Sequence, residues 1–449
     1  MKGTTVTLDA IRDCLEGAIP ALIATCAADG TPNVSYLSQV QYVDRHHVAL
    51  SFQFFNKTRA NALANPRARL MVAHPESATL YRLEVEYLRT ETAGPLFESM
   101  RARLASIASH TGMTDVFRLL GADVYRVAGI RIAHGTHAHP PAPGPNRLAA
   151  LRAASAAMLA CDDLETLFGA TLEALRRHFD VSHAMLLLLD ARAARLYTVA
   201  SMGYAASGIG SEIALGSGVI GVAARECTPI KLSRLNAAYA YGRAVRDAAI
   251  REGLSDGLER EIPLPGLAGS RSQLAVPIPI ARRAVGVLFI ESPHDMCFGY
   301  DDEDALVALA AQLGQAMHLL QLSEDGGIEH PERARQPPRT RGEPVTVRHY
   351  PADDSVFLDD DYLIKGVAGA VFWALVSDHV NRGRSAFSNR ELRLDPRVRL
   401  PEIGDNLEAR LVLLQRRLVE REACVRIEKT GRGRFRVDVA RPLQLVEVR

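Results

Sequence analysis

Two stretches of this chain cannot join a hydrophobic core, and they divide it into three. The run His134-Gly135-Thr136-His137-Ala138-His139-Pro140-Pro141-Ala142-Pro143-Gly144-Pro145 is built from residues that interrupt helices and strands. Glu324 to Glu343 is charged, contains Pro331, Pro337 and Pro338, and has no apolar periodicity. The sequence therefore predicts a unit over 1–133, a linker over 134–145, a unit over 146–322, a flexible linker over 323–343 and a unit over 344–449. The 449 residues suit that division, since a domain commonly takes about 100–200 residues. No internal repeat relates the three.

Composition narrows the class. An apolar fraction of 47% and a charged fraction of 23% are those of an ordinary globular protein, and a net charge of +1 excludes polyanion binding by bulk charge. The cysteines (Cys14, Cys26, Cys161, Cys227, Cys297, Cys424) are scattered, with no C-x-x-C pair. This spacing predicts no disulfide framework or zinc ribbon and points to a reducing cytoplasm. Buried structural thiols are the expectation for Cys227 and Cys297. Asp9, Asp13 and Glu16 argue against a signal peptide, and apolar runs such as Ala184 to Leu189 are too short to cross a bilayer.

In the first unit, Leu8 to Leu15 predicts a short helix, Ala21 to Cys26 a strand, Asp29-Gly30 a hairpin turn and Asn33 to Val40 the return strand. Val48 to Phe54 is a third strand leading into a helix from Asn56 to Ala64, which Asn65-Pro66 ends. Strands over Arg67 to Ala73 and Tyr81 to Glu91, helices over Pro95 to Ser109 and Thr114 to Leu120, and a strand over Asp123 to Ile132 follow. A helix N-terminus presents free N–H groups and a positive dipole end, so Asn56, Lys57 and Thr58 form a candidate phosphate clamp. Ser38, Ser51 and Gln53 lie on strands where side chains can meet the edge of a bound ring.

The run Phe55-Asn56-Lys57-Thr58-Arg59-Ala60-Asn61-Ala62-Leu63-Ala64-Asn65-Pro66-Arg67-Ala68, in this element order, resembles the pyridoxamine-phosphate-oxidase-like split barrels. The resemblance implies a split β-barrel, an FMN cofactor and a homodimer. Those oxidases place an arginine where Tyr36 aligns, and an Arg-Lys pair where Lys57-Thr58 stands. The unit also ends near Ile132, without their Arg/His/Trp-rich substrate segment, so vitamin oxidation itself is not expected. No catalytic triad stands out. His134, His137 and His139 lack a second ligand cluster, so no metal is expected.

In the middle unit, helices are predicted over Leu148 to Leu159 and Asp163 to His178, with a long closing helix over Tyr300 to Leu322. Strands are predicted over Ala184 to Asp190, Arg195 to Ser201, Ser272 to Ile280 and Ala284 to Glu291, and a short helix opens within Ile213 to Gly221. Gly216 to Gly221, Leu274-Ala275-Val276-Pro277-Ile278, Gly286-Val287-Leu288, and Phe298 with Asp301-Asp302-Glu303-Asp304 make this unit similar to a GAF domain. That similarity implies an α/β sandwich that receives a small-molecule signal. Ser292-Pro293 stand near where cyclic-nucleotide-binding members carry Asn-Lys, so cyclic GMP is not the expected ligand.

In the third unit, helices are predicted over Leu363 to Asn381, Asn389 to Leu394 and Asn406 to Arg421, followed by a hairpin around Lys429-Thr430-Gly431-Arg432-Gly433. Gly383 is the expected C-cap of the first helix, Ser388 with Glu391 a capping box, and Asp405 the cap of the third. Leu407, Leu411, Leu414 and Leu418 form one apolar face. This order resembles the winged helix-turn-helix effector domains of response regulators. The resemblance implies DNA binding by Arg410, Arg416, Arg417, Lys429, Arg432 and Arg434, with phosphate neutralised by the basic excess. The whole chain thus reads as a multidomain α+β, signal-responsive transcriptional regulator. An FMN-dependent oxidoreductase regulated by its middle unit, and a cofactor-free dimeric binding protein, remain alternatives.

Overall fold

The computed structural model describes residues 6–15, 19–53, 57–75, 77–110, 119–135, 146–233, 262–324, 342–398, 400, 407–431 and 433–448. The first unit opens with a 3-10 segment over Asp9–Leu15, interrupted at Ile11 by a non-helical φ of -122°, where an α-helix was expected. Its strands are β1 (Ala21–Cys26), β2 (Pro32–Leu37), β3 (Val40–Asp44), β4 (His47–Phe52), β5 (Arg67–Ala73), β6 (Leu80–Glu91) and β7 (Gly121–His134). Helix α1 (Lys57–Ala64) follows β4, and α2 (Pro95–His110) follows β6. They form one sheet in the order β2-β1-β5-β6-β7-β4-β3.

That order corrects the single strand expected over Asn33 to Val40. The segment divides at Ser38-Gln39: β2 pairs with β1 at one edge, and β3 pairs with β4 at the other. A two-residue connection reaches only about 7 Å, so the sheet must curl until its edges meet. The Gln39 carbonyl accepts the Ser51 N–H at 3.1 Å, tying the corner to β4. Alternate residues, among them Ile23, Leu50, Leu70, Val72, Leu83 and Tyr125, fill the interior. The helix expected over Thr114 to Leu120 falls mostly outside the described residues.

The middle unit runs α3 (Arg147–Leu159), α4 (Leu164–His178), β8 (His183–Asp190), β9 (Arg195–Met202), β10 (Glu212–Ala214), α5 (Gly218–Glu226), β11 (Ile230–Leu232), β12 (Ser272–Ile280), β13 (Arg283–Ser292) and α6 (Tyr300–Glu324). The sheet order is β10-β9-β8-β13-β12-β11. β8, β12 and β13 are buried almost end to end because both faces are covered, by α3, α4 and α6 on one side and α5 on the other. Residues Tyr300–Leu322 of α6 are long and apolar enough to cross a membrane, unlike the short runs singled out from sequence. Here Leu306, Leu309, Ala310 and Leu313 instead face α3 and α4 as core.

The third unit contains β14 (Val345–Tyr350), β15 (Ser355–Leu358), β16 (Asp361–Ile364), α7 (Gly366–Arg382), β17 (Ala386–Ser388), α8 (Asn389–Leu394), α9 (Leu407–Glu420), β18 (Val425–Gly431), β19 (Arg434–Val439) and β20 (Leu443–Glu447). Its two sheets are ordered β16-β15-β14-β20 and β17-β19-β18. α7 begins later than expected because Leu363 and Ile364 complete β16. Gly383 closes α7 with φ +68°, and Ser388 with Glu391 forms the expected capping box. Asp405 lies outside the described residues. The chain is a mixed α+β multidomain protein.

The first and middle units meet through a polar stack. Arg12 donates to Asp304 at 3.0 Å, and its guanidinium lies 4.5 Å from the Tyr42 ring and 4.3 Å from the Tyr300 ring. Lys231, whose side chain is fully buried, sits 3.2 Å from Glu303 and 3.8 Å from the Tyr300 ring. α2 completes the junction: Arg103 approaches Glu303 at 3.8 Å, and Ala102 packs beside α5.

A Cβ at Gly369 would stand 1.9 Å from the Asp354 carbonyl oxygen. Gly369→Ala should therefore cost about 1–3 kcal/mol or more in denaturant unfolding. The buried Cys14 thiol is pushed up to about 12, chiefly by desolvation, whereas Cys297 is exposed rather than buried as expected. An alkylating reagent at pH 8 should modify Cys297 readily and Cys14 only after unfolding, as peptide mapping would show.

Candidate functional site

The first-unit cleft forms where β2 and β4 approach α1. The apolar run Val48–Phe52 ends as the chain turns into the helix, leaving the first N–H groups of α1 without intrahelical acceptors. A cleft of about 580 Å³, open to solvent, lies beside this end. Ser38, Ser51, Gln53 and Thr58 all line it. Lys57 is exposed at the helix start, and Asn56 lies outside the described residues.

The donor set is partly committed. Thr58 is buried; its hydroxyl accepts from Asn33 Nδ2 at 2.9 Å and lies 2.6 Å from Ser35 Oγ. A hydroxyl has one proton and two acceptor sites. Thr58 can therefore donate outward to an anion only when Ser35 donates to it. Gln53 Nε2 donates to Ser51 Oγ at 3.3 Å, while Gln53 Oε1 is buried without a hydrogen-bond partner. An unpaired buried acceptor is costly, and a ring N–H would satisfy it. A helix N-terminus and lysine for a phosphate, with hydroxyls and an amide for a ring edge, fit FMN chemically. Bound there, FMN would supply hydride or electron transfer, and these side chains would hold and orient it.

A second polar cluster in the same cleft was not singled out from the sequence. Arg59 donates to Asp123 at 2.6 Å and to Thr90 at 3.2 Å, and its guanidinium lies 3.9 Å from the Phe52 ring. Thr90 also donates to Asp123 at 2.5 Å. The pair joins residues 64 positions apart, so only the β4–β7 and β6–β7 pairing reveals it. Arg59 thus serves the barrel wall, with its charge balanced. Tyr36, at the position where the resemblance led one to look for an arginine, is 79% exposed on the edge strand β2.

The residues assigned to DNA are placed differently from expectation. Leu407, Leu411, Leu414 and Leu418 are buried, as their spacing predicted. Arg410 and Arg417, however, are only 5% and 2% exposed. Arg410 donates to Asp190 of the middle unit at 2.7 Å and lies 3.8 Å over the Tyr197 ring. Arg416 donates to the Val199 carbonyl at 2.7 Å, and burial lowers its pKa. Arg417 donates to the Leu363 carbonyl at 3.1 Å and to Glu420 at 2.7 Å. Both acceptors belong to its own unit. Lys429 lies 3.4 Å from Asp163 and 3.5 Å from Glu408. Arg434 is half-buried, and Arg432 lies outside the described residues. Sequence reasoning missed this because one helix face looks equally basic whether it meets phosphate or carboxylate.

Among the described residues, no group of three or more histidine, cysteine or acidic side chains is placed to hold a metal. His134 is exposed at the end of β7, while His137 and His139 lie outside the described residues.

Comparison with known proteins places two of the three units. The family model for pyridoxamine 5'-phosphate oxidase matches residues 7–127, and that for the GAF domain matches residues 163–317. No curated protein matches the chain. Among solved structures, the GAF domain of an Acinetobacter phosphoenolpyruvate-protein phosphotransferase is 22% identical, with a TM-score of 0.31, and covers 41% of this chain and 99% of its own. Free methionine-R-sulfoxide reductase from Neisseria meningitidis is 19% identical, with a TM-score of 0.31, covering 42% of this chain and 99% of its own. An FMN-binding protein from Syntrophomonas wolfei subsp. wolfei is 16% identical, with a TM-score of 0.24, covering 29% of this chain and 89% of its own. This chain carries a pyridoxamine 5'-phosphate oxidase-type split-barrel domain followed by a GAF domain.

Proposed function

We propose that this chain is a signal-responsive regulator whose barrel binds FMN, whose GAF domain receives a small-molecule signal and whose third unit is a winged helix that binds DNA. The observation that carries the cofactor reading is the convergence of Ser38, Ser51, Gln53 and Thr58 on one cleft beside the α1 N-terminus and Lys57. The helix–short helix–helix–hairpin order of α7, α8, α9 and β18–β19 supports the winged-helix reading. A homodimer is supported by edge strand β2, where Val34 and Tyr36 are 65% and 79% exposed beside the cleft. A second copy would cover both side chains. Six free cysteines accord with a cytoplasmic protein.

The cofactor reading is tested by titrating FMN with the purified chain. Binding should quench flavin fluorescence and turn the protein yellow. Lys57→Ala should weaken binding by about 10- to 100-fold, the cost of a charge-assisted hydrogen bond. Gln53→Ala should weaken it by about 3- to 10-fold through a neutral one. A colourless protein that leaves free FMN fluorescence untouched ends the reading.

A further inference from the structure

We infer that the GAF domain is a releasable clamp on α9, occupying with its own carboxylates and carbonyls the basic face that the third unit would otherwise offer to phosphate. This rests on the winged-helix reading above. Arg410, Leu413, Arg417 and Glu420 recur at three- and four-residue spacing, so they share one side of α9. That side faces the GAF sheet: a Cβ at Gly210 would meet Arg417 Cδ at 3.7 Å and Leu413 Cδ1 at 3.8 Å. Glu420 receives the Ser207 hydroxyl at 2.7 Å.

The charges across this junction are sorted by origin. In the ion pairs that cross it among the described residues, the cation belongs to the third unit and the anion to the GAF domain: Arg410 with Asp190 at 2.7 Å, Lys429 with Asp163 at 3.4 Å, and Lys365 with Glu212 at 3.5 Å. The backbone is also shaped for the contact. The β8–β9 register shifts where Leu186 opposes Ala200 and Leu187 opposes Thr198, leaving Val199 as the extra residue of a bulge. A bulge takes its extra residue out of the ladder, and the Val199 carbonyl accepts Arg416. Polar contacts of this kind suit an interface that opens. Arg410, Lys429 and Lys365 can each exchange a carboxylate for a phosphate oxygen, or for water, without stranding a buried charge.

The test uses the full chain and two variants. Asp190→Asn removes the charge facing Arg410 while keeping an acceptor for the Ala193 N–H, which Asp190 Oδ1 now receives at 2.9 Å. Ser207→Ala, at the rim, removes the Glu420 contact without touching a buried charge. Hydrogen exchange of residues 407–420 reads docking, and binding to a random-sequence DNA duplex over a salt series reads the exposed basic face. Asp190→Asn should speed α9 exchange and tighten duplex binding, each by about tenfold or more, with Ser207→Ala smaller in the same direction. Faster exchange with no duplex binding even at low salt supports the clamp and ends the DNA reading. Unchanged exchange in both variants overturns the clamp. So does tight duplex binding by the unsubstituted chain that neither variant alters.

Discussion

Helix α9 has two faces, and both are buried. Its leucine face joins the third unit's own core, while its arginine face lies on the GAF sheet, so helix residues from Leu407 to Leu414 are all under a tenth exposed. One consequence is that the apolar residues of the two units form a single continuous cluster, running from Phe168 and Leu188 to Leu414 and Val437. Another is that guanidinium groups are carried out of water. Such groups are tolerated only with good partners. Arg410 meets that demand with a carboxylate at one edge and the Tyr197 ring under its face, a combination a lysine would not reproduce.

The barrel is organised by a different constraint, the two-residue corner at Ser38-Gln39. It joins the two edges of one sheet, and it places Ser38 on β2's side of the cleft opposite Ser51 and Gln53. In the same sheet β7 pairs alongside β4, which gives Arg59 its partner in Asp123. Cleft-lining contacts and wall contacts therefore come from one short stretch. Thr58 lines the cleft and Lys57 is exposed at the helix start, while Arg59 turns into the barrel wall.

Much of this was legible in the sequence where local chemistry decides it. Alternation in Ala21–Cys26 and Arg67–Ala73, the capping box at Ser388, and the glycine at 383 each specify their element within a few residues. The strand-to-helix step that brings Ser51, Gln53 and Thr58 to one cleft was legible for the same reason. What was not legible depends on long-range pairing. The Asn33–Val40 segment has enough β character for one strand, and only the demand of barrel closure splits it. The strands β14, β15, β16 and β20 were missed, with β20 returning to pair in parallel with β14 from nearly a hundred residues away. The faces of α9 were read correctly as apolar and basic. Its partner was not, because Asp190 and Val199 lie more than 200 positions earlier.

The GAF sheet stands between the other two units. The barrel engages its β11 edge, where Lys231 is held by Glu303 and Tyr300, and the third unit engages its opposite side through β8, β9 and β10. Helix α6 begins at the barrel junction with Tyr300, Glu303 and Asp304 and packs along α3 and α4. α4 in turn carries Asp163 and Glu165 to Lys429 and Arg416. A shift of α2 or the Arg12 stack thus has a continuous packed route to α9 that passes through the GAF core and not around it. Coupling along such a route requires an element with two arrangements, and α9 has the makings of one. Its leucine face fixes it to the third unit in either arrangement, while Arg410 and Arg416 on its other side are held by the Asp190 carboxylate and the Val199 carbonyl of the GAF domain.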